Sequence, residues 1–113
     1  MARAATTIDA FAAVAEPARR QLLDALGDAE ATVGQLVSRL GASQPQVSKH
    51  LGVLRAVDLV DVRADGRHRW YRVNGPALRP VHDWVGQFAR TWNTRLDQLD
   101  DLLAELQDQE DPP

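Results

Sequence analysis

Two copies of one short pattern, Thr32-x-x-Gln35 and Ser43-x-x-Gln46, begin 11 residues apart, and no other feature of the chain restricts its folding so tightly. In each, the hydroxyl can accept from the backbone N–H of the fourth residue while the glutamine amide reaches back to the first, so each marks a helix start. Between them Val33, Leu36, Val37 and Leu40 form one apolar stripe, and Gly41 supplies a stop. About three residues then remain for the turn, and two short helices joined so closely form a helix-turn-helix.

The flanking segments extend this unit on both sides. Ile8, Phe11 and Val14 recur every three residues on an alanine-rich stretch that predicts a first helix ending near Glu16-Pro17. Pro17 suits the first turn of a second helix, which turns Leu22, Leu23 and Leu26 inward and stops at Gly27. Residues 28–31 are expected to form a loop. Beyond Val57 the period changes, and Leu59 to Arg63 and His68 to Val73 read as strands around Ala64-Asp65-Gly66-Arg67, with Asp65-Gly66 expected at the centre of a hairpin turn. Pro80 marks the start of a long last helix with Val81, Trp84, Val85, Phe88, Trp92, Leu96, Leu99, Leu103 and Leu106 at three- and four-residue steps. The fold class is therefore mostly α with a small β-hairpin, a winged helix-turn-helix.

A chain of 113 residues with 44% hydrophobic and 26% charged residues fits one domain. That domain is expected to span residues 1–106, with an acidic tail over 107–113 that frays. The apolar stripe of the last helix is too long for the core of so small a domain, so a partner helix is its simplest destination. The longest uninterrupted apolar run, Ala10 to Ala15, falls far short of the ~20 residues needed to cross a bilayer, and no secretory leader pattern is present. No membrane association and a cytoplasmic location are expected.

The net charge of −3 conceals a division. Seven acids and no base lie from Asp97 onward, which leaves 13 bases and nine acids before it. The excess is confined to residues 43–79, where Lys49, Arg55, Arg63, Arg67, Arg69, Arg72 and Arg79 face only Asp58, Asp61 and Asp65. A central basic segment of this kind suits a polyanion.

On a helical wheel of residues 44–57, Val47, Leu51 and Leu54 share one side, and Pro45, Gln46, Lys49, Gly52 and Val53 the other. Ser43, Gln44, Gln46, Ser48 and Lys49 thus project from the first turns of the second helix of the motif, where a recognition helix reads the major groove. His50 borders the core on this wheel, which leaves both a packed role and direct contact with DNA open. Arg63, Arg67, His68 and Arg69 bracket the hairpin tip. They could protect a sheet edge by charge alone, but a wing whose cations lie along a phosphate backbone or enter the minor groove explains why bases dominate there. Trp70 and Tyr71 point to opposite ribbon faces, with Tyr71 and Val73 expected as the buried pair.

With no cysteine and three histidines, thiolate chemistry is excluded, and Ser48 and His50 are two apart on a helix and point away from each other. No enzyme is expected. The chain reads as a regulator binding specific double-stranded DNA. The alternative is a dimeric winged-helix module for protein interaction with no specific DNA site.

The sequence resembles the ArsR (SmtB-like) family of bacterial winged helix-turn-helix repressors. The likeness is carried by Glu16-Pro17-Ala18-Arg19-Arg20-Gln21-Leu22-Leu23, by Ser43-Gln44-Pro45-Gln46-Val47-Ser48-Lys49-His50-Leu51, by Val53-Leu54 and Leu59-Val60, and by Asp65-Gly66-Arg67 through Trp70-Tyr71-Arg72-Val73. It implies a homodimeric repressor on a palindromic operator, with the terminal helices as the interface. Phe11, Val85, Phe88, Trp92, Leu96, Leu99 and Leu103 would form that interface. Trp84 and Trp92 in the last helix are also similar to an autorepressor subgroup that lacks metal sites.

Metal sensing in the family needs ligands this sequence lacks. The thiolate type places cysteines around the third helix, and Val33 to Leu40 contains no sulfur. The last-helix type needs an Asp-x-His pair and a second pair about three turns on. Here Pro80 precedes His82, and Asn93 and Leu96 occupy the later positions, an amide and an alkyl group that cannot complete a zinc site. No cofactor and no metal are expected, and a small molecule or a protein is the expected effector.

Overall fold

The structure is a computed structural model that describes residues 9–110. Ile8, the first residue of the expected N-terminal stripe, lies outside them. In chain order the elements are α1 (Ala10–Ala15), α2 (Pro17–Leu26), α3 (Val33–Leu40), α4 (Gln44–Ala56), β1 (Val60–Asp65), β2 (His68–Val73), a 3-10 turn (Gly75–Leu78) and α5 (Arg79–Glu110).

The helix boundaries follow from their caps. Asp9 accepts from the Ala12 N–H to start α1, Pro17 occupies the first turn of α2, and Gly27 ends it at φ +57°. Both expected capping boxes are formed. The Thr32 hydroxyl accepts from Gln35 N at 3.2 Å while Gln35 accepts from Thr32 N at 3.1 Å, and Ser43 and Gln46 repeat the exchange at 3.3 and 3.4 Å. Gly41 closes α3 in the left-handed conformation.

Leu22, Leu26, Leu36, Val47, Leu51, Leu54, Leu59 and Val60 form the fully buried centre, so α2, α3 and α4 each commit one face to it. Tyr71, Val73, Ala77, Leu78 and Val81 pack against it from the hairpin and the segment that follows. Val53, expected on the outer face of α4, is partly buried against this core. In α1 the buried residues are Ala10 and Ala13, while Phe11 is exposed, so the helix seats its small side chains and presents the large one outward.

A six-residue helix is below the length at which helices hold themselves together. α1 is fastened by α2. Arg19 donates from Nε to the Ala13 carbonyl at 2.7 Å and from Nη2 to that of Ala12 at 3.1 Å, and Arg20 Nη1 donates to Val14 O at 2.6 Å and Ala15 O at 3.2 Å. The last carbonyls of α1, which no further turn would satisfy, are taken by two guanidinium groups.

The hairpin differs from expectation at its tip and its base. β1 and β2 pair antiparallel from Val60 with Val73 to Asp65 with His68, so the two-residue turn is Gly66-Arg67, one position later than expected. Gly66 has φ +62° and Arg67 is not among the positive-φ residues. A turn with glycine first needs only one left-handed residue, whereas Asp65-Gly66 at the centre would force Asp65 there too. At the base, Ala31 is fully buried and exchanges both backbone hydrogen bonds with Tyr71, at 2.8 and 3.0 Å. The expected loop over 28–31 thus adds a single-residue β-bridge to the two-stranded hairpin. Asp58, between α4 and β1, is the only non-glycine residue at positive φ among those described.

The described residues divide into two compact units, one ending at Val81 and one beginning at His82. The second is the remainder of α5. It stays helical through Glu110, past Leu106, where the apolar stripe stops and the tail was expected to begin. No helix among the described residues is long and apolar enough to cross a membrane.

Candidate nucleic-acid interface

α4 presents two unlike faces. Val47, Leu51 and Leu54 are sealed in the core, which leaves Gln44, Gln46, Ser48 and Lys49 exposed on its outer, N-terminal half, with the N-cap Ser43 just before them. Gln46 has a divided role. Its Oε1 accepts from the Ser43 N–H, so the part of its carboxamide left to offer a base is the donor Nε2.

The wing stands beside this helix. A cleft between them is lined by Thr32, Val33 and Gly34 at the start of α3, by Gln44 of α4, and by Arg67, His68, Arg69 and Tyr71 of the hairpin. Arg67, His68 and Arg69 are all exposed. Two guanidinium groups, an imidazole and the Gln44 amide therefore converge on one groove, with the N-terminal turn of α3 on its wall, a set of donors that matches a phosphate backbone and base edges.

Arg63, also expected to meet DNA, is engaged within the protein. Its Nε and Nη2 both donate to Glu30 Oε2, at 3.1 and 2.9 Å, its Nη1 lies 3.5 Å from Asp65, and its guanidinium sits 5.9 Å from the Trp70 ring centre. The hydrogen bonds to Glu30, aided by the charges of Glu30 and Asp65, hold the Arg63 proton more tightly than usual. Glu30 and the Ala31 bridge were not found from sequence. They lie 33 and 40 positions from their partners, and no local pattern marks such a pair.

His50 points elsewhere. It lines a second cleft, between α2 and α4, together with Ala18, Gln21, Leu22, Leu40, Ala42, Gln46 and Val47. The ring is half-buried, and its Nδ1 is shut off from solvent without a hydrogen-bond partner.

On α5, Val85, Phe88, Trp92, Leu96, Leu99 and Leu103 are exposed, joined by Trp84, Leu102 and Leu106. Phe88 and Trp92 reach 58% and 60% exposure, and Phe11 on α1 is 38% exposed, values far from those of core residues. The expected interface residues are thus apolar surface. His82 is exposed and lies 3.3 Å from Asp83, and among the described residues no cluster of three or more His, Asp or Glu could hold a metal ion.

A three-helix core carrying a helix-turn-helix, followed by a two-stranded wing and a long terminal helix, defines a winged helix-turn-helix protein. The sequence matches a helix-turn-helix domain family over residues 14–63. It is 28% identical over 78 residues to the transcriptional repressor SdpR of Bacillus subtilis, covering 69% of this chain and 87% of that one. It is 32% identical over 96 residues to an uncharacterized HTH-type transcriptional regulator of Mycobacterium tuberculosis, covering 83% and 84%. An ArsR-like transcriptional regulator from Rhodococcus superposes with a TM-score of 0.62 at 30% identity, over 81% of this chain and 87% of that one. The chain belongs to the ArsR/SmtB family of winged-helix transcriptional regulators, DNA-binding proteins. Four other curated relatives are matched over only 51 to 58% of their own length.

Proposed function

We propose that the protein is a homodimeric repressor that binds a palindromic operator, α4 entering the major groove and the wing lying along the phosphate backbone. The observation that carries this is the exposed row Gln44, Gln46, Ser48 and Lys49 on a helix whose other face is locked in the core, across a cleft from Arg67, His68 and Arg69. Ser43, Gln44, Gln46, Ser48 and Lys49 read bases, with His50 at the margin of that surface, and Arg67, His68 and Arg69 hold phosphates. Arg63 serves the same surface indirectly, by tying the wing to Glu30.

Residues 1–106 act as one DNA-binding and dimerisation unit. Phe11 and the α5 stripe of Val85, Phe88, Trp92, Leu96, Leu99 and Leu103 form the dimer contact, which sets two recognition helices about one DNA turn, ~34 Å, apart. The protein works in the cytoplasm without catalysis, and its effector is a small molecule or a protein rather than a transition metal. The test is binding to the DNA upstream of its own gene across a salt series. A saturable complex whose affinity falls steeply with salt and exceeds that for random duplex supports the reading. Equal affinity for both duplexes at every salt concentration overturns it.

A further inference from the structure

The cleft between α2 and α4 is not part of the DNA-facing groove. Its volume is about 130 Å3, and its walls combine Ala18, Leu22, Leu40, Ala42 and Val47 with three polar groups, Gln21, Gln46 and His50. A cavity of roughly 150 Å3 with apolar walls takes up benzene, so this one is matched to a single six-membered ring with one edge toward solvent. His50 supplies the directional feature. Its Nδ1 is buried and makes no hydrogen bond, a state that costs free energy until a partner arrives.

From this pairing of an apolar slot with an unsatisfied ring nitrogen, we propose that the cleft is an effector site for a small hydroxylated aromatic compound, whose ring lies against Ala18, Leu22 and Val47 and whose hydroxyl bonds His50 Nδ1 once the imidazole has turned about its χ2 bond to bring that buried atom into the slot. A hydroxyl both donates and accepts, so it suits either tautomer of the imidazole. The site is coupled to the proposed DNA surface through Gln46. That residue caps α4, lines the cleft and stands in the row expected to read bases. A ligand that draws on the Gln46 carboxamide or crowds the first turn of α4 binds the DNA-free form better, and DNA and ligand then weaken each other by the same factor. This coupling rests on the reading of α4 as the recognition helix, whereas the site itself does not.

The experiment uses phenol and benzene, probes that share one ring and differ by a hydroxyl, followed by nuclear magnetic resonance on the whole chain. Phenol should give saturable shifts concentrated at Ala18, Gln21, Leu40, Gln46 and His50, and should bind roughly three- to tenfold tighter than benzene, the effect of one net hydrogen bond. His50→Leu should erase that preference while still binding benzene. Ala18→Met, which fills the slot with a flexible side chain, should lose both probes while melting at an unchanged temperature. Saturating phenol should weaken binding to the upstream duplex at least threefold, an effect absent in Ala18→Met. Equal affinity of the native chain for both probes, or shifts that never saturate, overturns the site. Saturable phenol binding with undiminished DNA affinity overturns its role as an effector site. A chain that binds phenol and no duplex refutes the DNA reading and the coupling, and leaves the ligand site standing.

Discussion

Arg63 and Glu30 are joined by two hydrogen bonds to one carboxylate oxygen, across 33 positions of sequence, and this pair fastens the wing to the loop before α3. A guanidinium already neutralised by Glu30 and Asp65 has little charge left to exchange for DNA counterions. Arg63→Ala should therefore leave the slope of log affinity against log salt unchanged, whereas Arg67→Ala should lower its magnitude by about 1. Titrations of both variants at several salt concentrations provide the check, and equal slope changes would place Arg63 on the phosphates.

The same strut sets wing mobility. Glu30→Ala should speed hydrogen exchange at the amides of Ala31 and Tyr71, whose mutual bridge adjoins the lost contact, and leave those of Leu51 and Leu54 protected. Uniform acceleration at all four would mean that the pair supports the whole fold instead of the wing.

Gln46→Glu separates capping from reading. A glutamate keeps the oxygen that accepts from Ser43, so thermal stability should hold, but it replaces the outward donor by an acceptor. Preference at the contacted base pair should move from an acceptor such as guanine O6 or N7 toward the cytosine N4 donor, at a cost of ~1 to 3 kcal/mol on the native site. Selection of duplexes from a randomised pool reads this directly. An unchanged preference would remove Gln46 from the reading set.

Trp92→Ala tests the apolar stripe. Loss of an aromatic anchor from an interface core costs about 2 kcal/mol, near 30-fold in the dimer dissociation constant. Sedimentation should show a shift toward monomer, with a parallel loss of affinity for the two-half-site duplex. A native chain that is monomeric at micromolar concentration would contradict the proposed interface.

Asp58 marks a strained corner. With φ +62° it holds the turn from α4 into β1 in a conformation where a side chain is penalised, and Asn74 Nδ2 pins its carbonyl at 2.9 Å. Asp58→Gly should raise stability to urea by up to about 1 kcal/mol, and Asp58→Val should lower it by roughly 1 to 2 kcal/mol. A destabilised glycine variant would mean that the aspartate side chain supports the corner in some other way.

The features legible in sequence were those written within a few residues of each other. Thr32 with Gln35, Ser43 with Gln46, Gly27, Gly41 and the alternation of Leu22, Leu26, Val47, Leu51 and Leu54 each act over one or two helical turns, so their pattern survives in one dimension. What escaped lies across the fold. Ala31 joins Tyr71 only once α2 has turned the chain back, and Glu30 meets Arg63 only because that bridge has been placed beside it. The turn centre was misplaced because Asp-Gly is a strong local signal, yet Gly66 in first position relieves Asp65 of a left-handed conformation. Among the expected site residues, Gln44, Arg67, His68 and Arg69 come together around one groove, while Arg63 is drawn into an ion pair with Glu30 that no local pattern displays, and His50, at the core border on the helical wheel, lines the cleft between α2 and α4.

The two arginines of α2 make that helix a mechanical link. On one side Arg19 and Arg20 grip the end of α1, which carries Phe11, and on the other Ala18, Gln21 and Leu22 form a wall of the slot that abuts Gln46 and His50. α1 and α2 are separate helices that meet at the extended Glu16, so a shift of α2 at the slot would reach Phe11 through the four guanidinium hydrogen bonds that hold the end of α1.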